Sequence, residues 1–380
     1  MRASAGRILT THVGSLPRSE AVTDVLFGRE RGDIADPAAA AAVIRDAVAE
    51  VVERQVRTGI DVVSDGETSK ISYATYIADR FAGFGGDTPR EPGQDLVEFP
   101  RFMAKLAASG ATAKYRRPRC VGEIALKDSR PLETDLANFR RAVDAAKPGE
   151  AFMNAASPGV LALFQPNDWY PTQDAYLEAL GEAMRAEYEA IVGAGFLLQV
   201  DAPDFGMGRH TMYRSASAGE YLSAAARHVE VLNHALRNLP ADRMRMHICW
   251  GNYEGPHHHD IPLEQLLPVV VKAKPQALLF EAANPRHAHE WSVFTRLRVP
   301  EHKVLVPGVL STTTNYVEHP ELVAERILRF ADIVGRERVI AGTDCGFGTF
   351  GGFGPVDPDI VWMKLGSLVE GARIASSRLF

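Results

Sequence analysis

Met244-Arg245-Met246-His247-Ile248-Cys249 is a short, largely apolar run that closes on an imidazole and a thiol. It reads as a β-strand, and a strand alternates its faces, so His247 and Cys249 share one side at its C-terminal end. Two later runs end in a similar way. Ala277-Leu278-Leu279-Phe280 is followed by Glu281, and Val339-Ile340-Ala341 leads through Gly342-Thr343-Asp344 to Cys345. His247, Cys249, Glu281 and Cys345 together offer one imidazole, two thiolates and one carboxylate. Zinc favours nitrogen and sulfur donors in tetrahedral geometry, so the four are expected to converge on one ion.

Runs of this kind recur along the chain between longer helical stretches, a rhythm of βα units and a parallel sheet. Eight candidates stand out, at 7–13, 61–64, 151–155, 197–201, 245–249, 277–281, 303–307 and 338–343. Eight is the number a (β/α)8 barrel needs, and such barrels often run long as one unit, so residues 1–380 are expected to form a single α/β TIM-barrel domain. A ninth run, 120–126, reads as half of a hairpin inserted after the second strand. Residues 69–114 are irregular and rich in glycine and proline, so 69–130 is expected to be an excursion over the barrel mouth, and a surface open to self-association. Asp36-Pro37 marks a helix start, apolar spacing carries the helix to about Arg57, and Gly59 stops it. Pro320 starts another that ends before Gly335.

The bulk properties exclude several classes. A net charge of −6 gives no basic surface for nucleic acid. No stretch approaches the roughly 20 apolar residues of a membrane helix, and Met1 to Leu9 lack the apolar core of a signal peptide. Three cysteines make no disulfide framework, and thiolate ligands must stay reduced, so the expected compartment is the cytoplasm. In barrels of this type the chemistry sits at the C-terminal strand ends. Those ends read Thr11-His12-Val13-Gly14-Ser15, Asp65-Gly66-Glu67, Asp201, His247-Ile248-Cys249, Glu281 and Asp344-Cys345-Gly346. A rival metal cluster, His257-His258-His259, is set aside because consecutive histidines on a loop diverge and no acid supports them.

Thr10-Thr11-His12-Val13-Gly14-Ser15-Leu16-Pro17-Arg18 resembles the opening of the cobalamin-independent methionine synthase catalytic domain. The resemblance continues, in order, through Asp65-Gly66-Glu67, Gln199-Val200-Asp201-Ala202-Pro203, His247-Ile248-Cys249, Phe280-Glu281 and Asp344-Cys345-Gly346. It implies a TIM barrel of the methionine synthase and uroporphyrinogen decarboxylase type, with zinc at His247, Cys249, Glu281 and Cys345. The full methionine synthase carries a second, N-terminal barrel; this chain resembles the short stand-alone members, which include epoxyalkane:coenzyme M transferases. By the same resemblance Glu67 and Asp201 would hold the amino group of homocysteine, and Ser15 would lie near its carboxylate. Asp344 flanks a ligand and is a candidate to orient it, and with Glu67 and Asp201 it is counted among the expected catalytic residues. Arg18, Lys70 and Arg209 are candidates for an anionic substrate tail.

Such a site suits alkylation of sulfur. A free thiol has a pKa of about 8.5, and coordination to zinc deprotonates it. Two thiolates and a carboxylate over-neutralise the ion, so bound sulfur keeps its electron density and attacks an alkyl carbon. The expected partners are a small thiol and a methyl or alkyl donor. Two departures bear on the donor. Residues 307–315 lack the histidine that would protonate a departing folate nitrogen, and no tryptophan follows Pro158-Gly159, Trp169 being out of register. An epoxide is therefore an alternative donor, with His12, His210 or Tyr213 as its acid. A zinc hydrolase and a thiol-binding protein without catalysis are further alternatives.

Overall fold

The computed structural model describes residues 1–89, 91–108 and 115–380. Its strands, in chain order, are β1 (Leu9–Thr10), β2 (Val62–Val63), β3 (Phe81–Gly85), β4 (Arg119–Leu126), β5 (Glu150–Ala156), β6 (Leu197–Asp201), β7 (Met244–His247), β8 (Ala277–Phe280), β9 (Val304–Pro307) and β10 (Ile340–Ala341). Six of them pair in parallel in the order β2-β5-β6-β7-β8-β9, and β1 pairs in parallel with β10. Single bridges close the ring, Thr11 to Val62 on one side, and Leu305 to Val339 and Gly308 to Gly342 on the other. Eight parallel strands therefore neighbour one another all the way round, which is the TIM-barrel arrangement expected from the sequence.

The expected strands 7–13, 61–64 and 338–343 shrink to two residues each. Side chains replace part of the ladder at that seam. Asp61 Oδ2 accepts the Thr10 N–H at 2.9 Å, and the Ser4 hydroxyl accepts the Leu9 N–H at 3.1 Å. Thr11 Oγ1 donates to the Val62 carbonyl at 3.0 Å. Strands 245–249 and 277–281 stop earlier than expected, at His247 and Phe280, so Cys249 and Glu281 stand just beyond their strands.

Strand alternation sorts the interior into layers. Leu9, Ala277, Leu279, Val304, Val306 and Ile340 form one apolar cluster inside the ring, while Leu278, Phe280 and Leu305 belong to the larger core. Phe152, Leu197 and Val62 cluster beside them. Two residues further along the same inward rows stand Asn154 and Gln199, and the Gln199 register partner on β7 is Arg245. The Arg245 guanidinium lies 3.9 Å from the Phe152 ring centroid and donates to Thr11 Oγ1 at 2.9 Å and the His12 carbonyl at 2.7 Å. Above that polar layer come Asp201 and His247, themselves paired in register. On β5 and β6 the inward row thus changes from apolar to polar toward the C-terminal mouth, while on β7 both inward residues, Arg245 and His247, are polar.

The helices follow their sequence signals. Helix Pro37–Thr58 is capped by the Asp36 carboxylate, and Gly59 ends it at φ 97°, where a side chain would be strained. Helix Pro320–Val334 stops before Gly335 at φ 90°. No helix among the described residues is long and apolar enough to cross a membrane.

Between β2 and β5 the chain makes the expected hairpin, β3 pairing antiparallel with β4. Lys114 and the rest of 109–114, and residue 90, lie outside the described residues. Short helices Ile77–Arg80, Gln94–Val97 and Pro100–Ala108 occupy a stretch with no clear periodicity in the sequence. Arg80 anchors this excursion. Its buried guanidinium pairs with Asp135 at 2.7 Å and Glu187 at 2.6 Å, and Tyr76 donates to Glu187 at 2.7 Å. Removing the cation leaves two buried carboxylates without a countercharge. Arg80→Met is expected to cost about 3–5 kcal/mol, read as a lower denaturant midpoint; a midpoint within experimental error of the parent would refute this anchoring role.

Candidate active site

His247 ends β7 with its side chain on the inward row, and Cys249 follows two residues later on the same row. Cys345 arrives from the loop after β10. One donor atom from each lies within 4.8 Å of the other two, and the two sulfurs are 3.6 Å apart. Both ring nitrogens of His247 are buried and have no hydrogen-bond partner. Burial, reinforced by the Arg245 cation, pushes the His247 imidazolium down to about 3, so the ring is neutral and its lone pair free at any physiological pH. The Cys249 thiol is pushed well above its usual range by hydrogen bonding to Cys345, by burial and by the nearby charges of Cys345 and Glu281. Two thiolates do not coexist here without a cation between them. A buried imidazole with idle nitrogens beside two such sulfurs fits a soft or borderline divalent ion, and zinc is the natural choice for one nitrogen and two sulfurs.

Glu281, the fourth expected ligand, stands outside that three-donor cluster. Its Oε1 accepts the Trp250 N–H at 2.8 Å and its Oε2 accepts from Asn284 Nδ2 at 2.7 Å. Asp344, expected among the catalytic acids, has no lone pair aimed at the mouth. Its carboxylate accepts the backbone N–H groups of Ala282, Ala283 and Asn284, each at 2.8 Å, and the Asn284 amide at 3.1 Å. Burial and the Glu281 charge push Asp344 up to about 7, while those donors pull the other way. Asp344 is therefore a positioning residue that locks the Glu281–Asn284 turn to the strand end carrying Cys345.

A second group of acids faces the same mouth. Asp201 ends β6, and its oxygens accept from Asn154 Nδ2 at 2.7 Å and Gln199 Nε2 at 2.8 Å. Glu67 sits in the loop after β2 at φ 53°, a left-handed conformation costly for a side-chain-bearing residue and held here by its surroundings. Its Oε2 is buried without a partner. Burial and the neighbouring Asp201 charge push Glu67 up to about 8, against the pull of Lys70 and Arg18; burial pushes Asp201 up to about 6. Two acids are thus held in one dry setting, one of them with an idle oxygen and both already under the pull of the Lys70 charge. Ser15 is buried against the residue after Cys345: its hydroxyl fills the space a Cβ at Gly346 would need, and its carbonyl accepts the Phe347 N–H at 2.8 Å.

Other candidates are engaged elsewhere. Arg18 is not a free anion receptor: its guanidinium donates to the Glu67 carbonyl at 2.7 Å and the Gly348 carbonyl at 2.5 Å, tying two mouth loops together. Lys70 Nζ donates to the Asn154 carbonyl at 2.6 Å, and Arg209 to the Tyr213 carbonyl at 3.1 Å. His12 accepts the Gly14 N–H on Nδ1 and bonds Gln55 through Nε2 at 2.7 Å; burial pushes it down to about 4. His210 faces Asp260 at 3.0 Å. Tyr213 meets His228 at 3.3 Å, and Trp169 is exposed.

Sequence reading missed Asn154, Gln199, Asn252 and Tyr73. The first two are amides on the inward rows of apolar strands, which is a usable signal. Asn252 is an ordinary loop residue by sequence, yet it donates to the Gly346 carbonyl at 2.8 Å and Thr349 at 2.7 Å and accepts from Thr312 at 2.8 Å. Tyr73 comes from the excursion, stacks on Phe350, and feels the charges of both Cys249 and Cys345.

The family described as the catalytic domain of cobalamin-independent synthase matches residues 8–91 and 165–353. Methionine synthase of Saccharolobus solfataricus is 25% identical over 375 residues, spanning 97% of this chain and 95% of its own. That of Thermococcus kodakarensis is 24% identical over 374 residues, spanning 97% and 94%. The structure of a B12-independent methionine synthase from Shewanella sp. W3-18-1, in complex with selenomethionine, superposes with a TM-score of 0.75 at 18% identity, covering 98% of this chain and 99% of that one. At that identity the structural likeness concerns the fold.

Two expectations follow from the geometry. His247→Ala and Cys345→Ser should each abolish the buried equivalent of metal, read as loss of the sulfur-to-metal charge-transfer band on cobalt loading, while leaving the far-ultraviolet circular dichroism intact; full retention of that band by both would dismantle the three-donor cluster. Glu67 has a folded-state pKa raised above its unfolded value, so the folded protein holds the extra proton, and this group erodes stability as pH rises from about 4.5 toward about 8. Glu67→Gln should therefore stabilise the protein more at pH 8 than at pH 5, and an equal effect at both would show that the carboxyl is not protonated by burial.

Proposed function

Since the chain belongs to the family of cobalamin-independent synthase catalytic domains, we propose that it is a zinc-dependent methyltransferase that alkylates the sulfur of a small amino thiol, with homocysteine as the preferred acceptor. The observation that supports this reading most directly is the meeting of His247, Cys249 and Cys345 at the mouth of the barrel, with an acid pocket facing the same opening. His247, Cys249 and Cys345 would hold the ion, and Glu281, on the turn beside them, would be the candidate for a fourth donor. When bound, zinc supplies the acidity that converts the substrate thiol to a thiolate nucleophile.

The chain's own residues do the rest. Glu67 and Asp201 bind and orient the substrate ammonium, the Glu67 proton leaving as the cation arrives. Asn154 and Gln199 fix the Asp201 carboxylate in place. Ser15 offers its hydroxyl to the substrate carboxylate from beside Gly346. Asp344 and Asn284 hold the Glu281 turn, and Tyr73 with Phe350 forms an aromatic wall that keeps water from the sulfur.

The acid pocket favours an amino thiol over an anionic thiol such as coenzyme M, because two carboxylates repel a sulfonate and attract an ammonium. Residues 308–315 after β9 present serine and threonine hydroxyls and no histidine, so the reading does not extend to folate as the donor. The methyl or alkyl donor is one that departs without an imidazole from that turn.

Calorimetric titration of the zinc-loaded protein with homocysteine, coenzyme M, cysteine and glutathione tests the assignment. Homocysteine is expected to bind best, to lose binding on zinc removal, and to weaken by about 2–5 kcal/mol, at least thirtyfold, in Asp201→Asn. Preference for coenzyme M, or homocysteine binding indifferent to Asp201→Asn, would replace the amino-thiol reading with the epoxide one.

A further inference from the structure

The histidine run 257–259 behaves differently from the expectation that it would diverge without supporting acids. His257 takes the left-handed conformation, φ 52°, and this splits the run. His257 turns inward, where its Nδ1 meets Asp260 at 3.0 Å and its backbone N–H reaches Asp95 at 3.1 Å. His258 and His259 stay at the surface with ring centroids 4.2 Å apart. An acid does support them: Glu98 presents one oxygen to each ring, Oε2 to His258 Nε2 and Oε1 to His259 Nε2, both at 2.6 Å. The Phe99 ring meets His258 edge-on at 5.7 Å and limits its rotation.

We propose that His258, His259 and Glu98 form a second, surface site for a divalent transition ion such as Zn²⁺, which staples the excursion to the loop that leaves Cys249. One donor atom from each of the three residues lies within 4.8 Å of the others. Two imidazole nitrogens and a carboxylate oxygen are ligands that zinc, copper and nickel all accept, and three protein donors leave room for water, so the ion exchanges readily. Binding needs both Nε2 lone pairs. Each neutral ring supplies its own by moving its proton to Nδ1, and Glu98 exchanges its two hydrogen bonds for one metal bond, so no co-reactant is required.

The position gives the site its consequence. Glu98 follows the short helix Gln94–Val97 in the excursion, whereas His258 and His259 lie in the loop whose Gly251 N–H is donated to the Cys249 sulfur at 3.2 Å. The two segments already touch on the buried side, where Asp95 accepts from Tyr253 at 2.6 Å. A metal on the outer side would replace the Glu98 hydrogen bonds to His258 and His259 with bonds to one shared ion, strengthening the outer of the two ties across the same seam.

The test titrates Zn²⁺ alone into protein already carrying one equivalent, in the parent, in Glu98→Gln and in the double variant His258→Ala/His259→Ala. A second equivalent is expected in the parent, weaker in Glu98→Gln and lost in the double variant. Hydrogen exchange at 93–99 and 251–261 should slow with that second equivalent in the parent only. Cobalt separates the two sites: a sulfur-to-metal charge-transfer band should grow with the buried equivalent and not with the surface one. Cys249→Ser/Cys345→Ser should still take the surface equivalent, so failure of the buried centre and failure of this site are read apart. A parent that binds no second ion, a second ion that survives in the double variant, or one that leaves exchange at both segments unchanged, overturns the proposal.

Discussion

Everything at the mouth of this barrel depends on one constraint, the two-residue pleat of strands closed into a ring. Once Thr11 bridges to Val62 and Gly308 to Gly342, none of the eight ring strands has a free edge, and the inward rows have only one direction in which to present polar atoms. Leu197, Gln199 and Asp201 climb one row; Arg245 and His247 climb the next; Ala277, Leu279 and Glu281 climb a third. The lower positions plug the barrel with hydrocarbon. The upper ones must be polar for a purpose, because buried charge costs several kcal/mol unless something meets it.

What meets those charges differs from place to place, and the difference separates framework from chemistry. Arg80 between Asp135 and Glu187, and Asp344 among three backbone N–H groups, have their bonding capacity filled by the chain itself. They hold the fold and its loops. His247 and one oxygen of Glu67 are buried and idle. A folded protein tolerates such atoms where a ligand completes them, and both stand at the C-terminal ends of ring strands. The Glu67 backbone strain belongs to the same pattern, since a site can retain local strain that a well-packed surrounding structure over-determines.

The loops above the strands are coupled more tightly than their irregular sequence implies. Asn252 joins the loop of Cys249 to those of Cys345 and Thr312, Arg18 joins the Glu67 loop to Gly348, and Asp95 joins the excursion to Tyr253. The excursion packs Tyr73 on Phe350 and bonds Glu98 to His258 and His259, so it is tied to the loops above the strands at two further points.

The sequence by itself determined the barrel, the hairpin and the rim on which the chemistry lies, because apolar runs of period two and capping signals such as Asp36-Pro37 and Gly59 are local properties of the chain. It also determined that His247 and Cys249 would share a side, for the same local reason. Only the tertiary structure decided which distant groups meet. It brought Cys345 to Cys249 across the seam of the ring, kept Glu281 back on Trp250 and Asn284, and spent Arg18 and Asp344 on backbone atoms. It paired Glu98 with His258 and His259, and it placed Asn154 and Gln199 against Asp201. Pairings of that kind depend on strand register, loop path and competition among buried hydrogen-bond partners, which are set by the whole chain at once and leave no trace in the neighbours of any single residue.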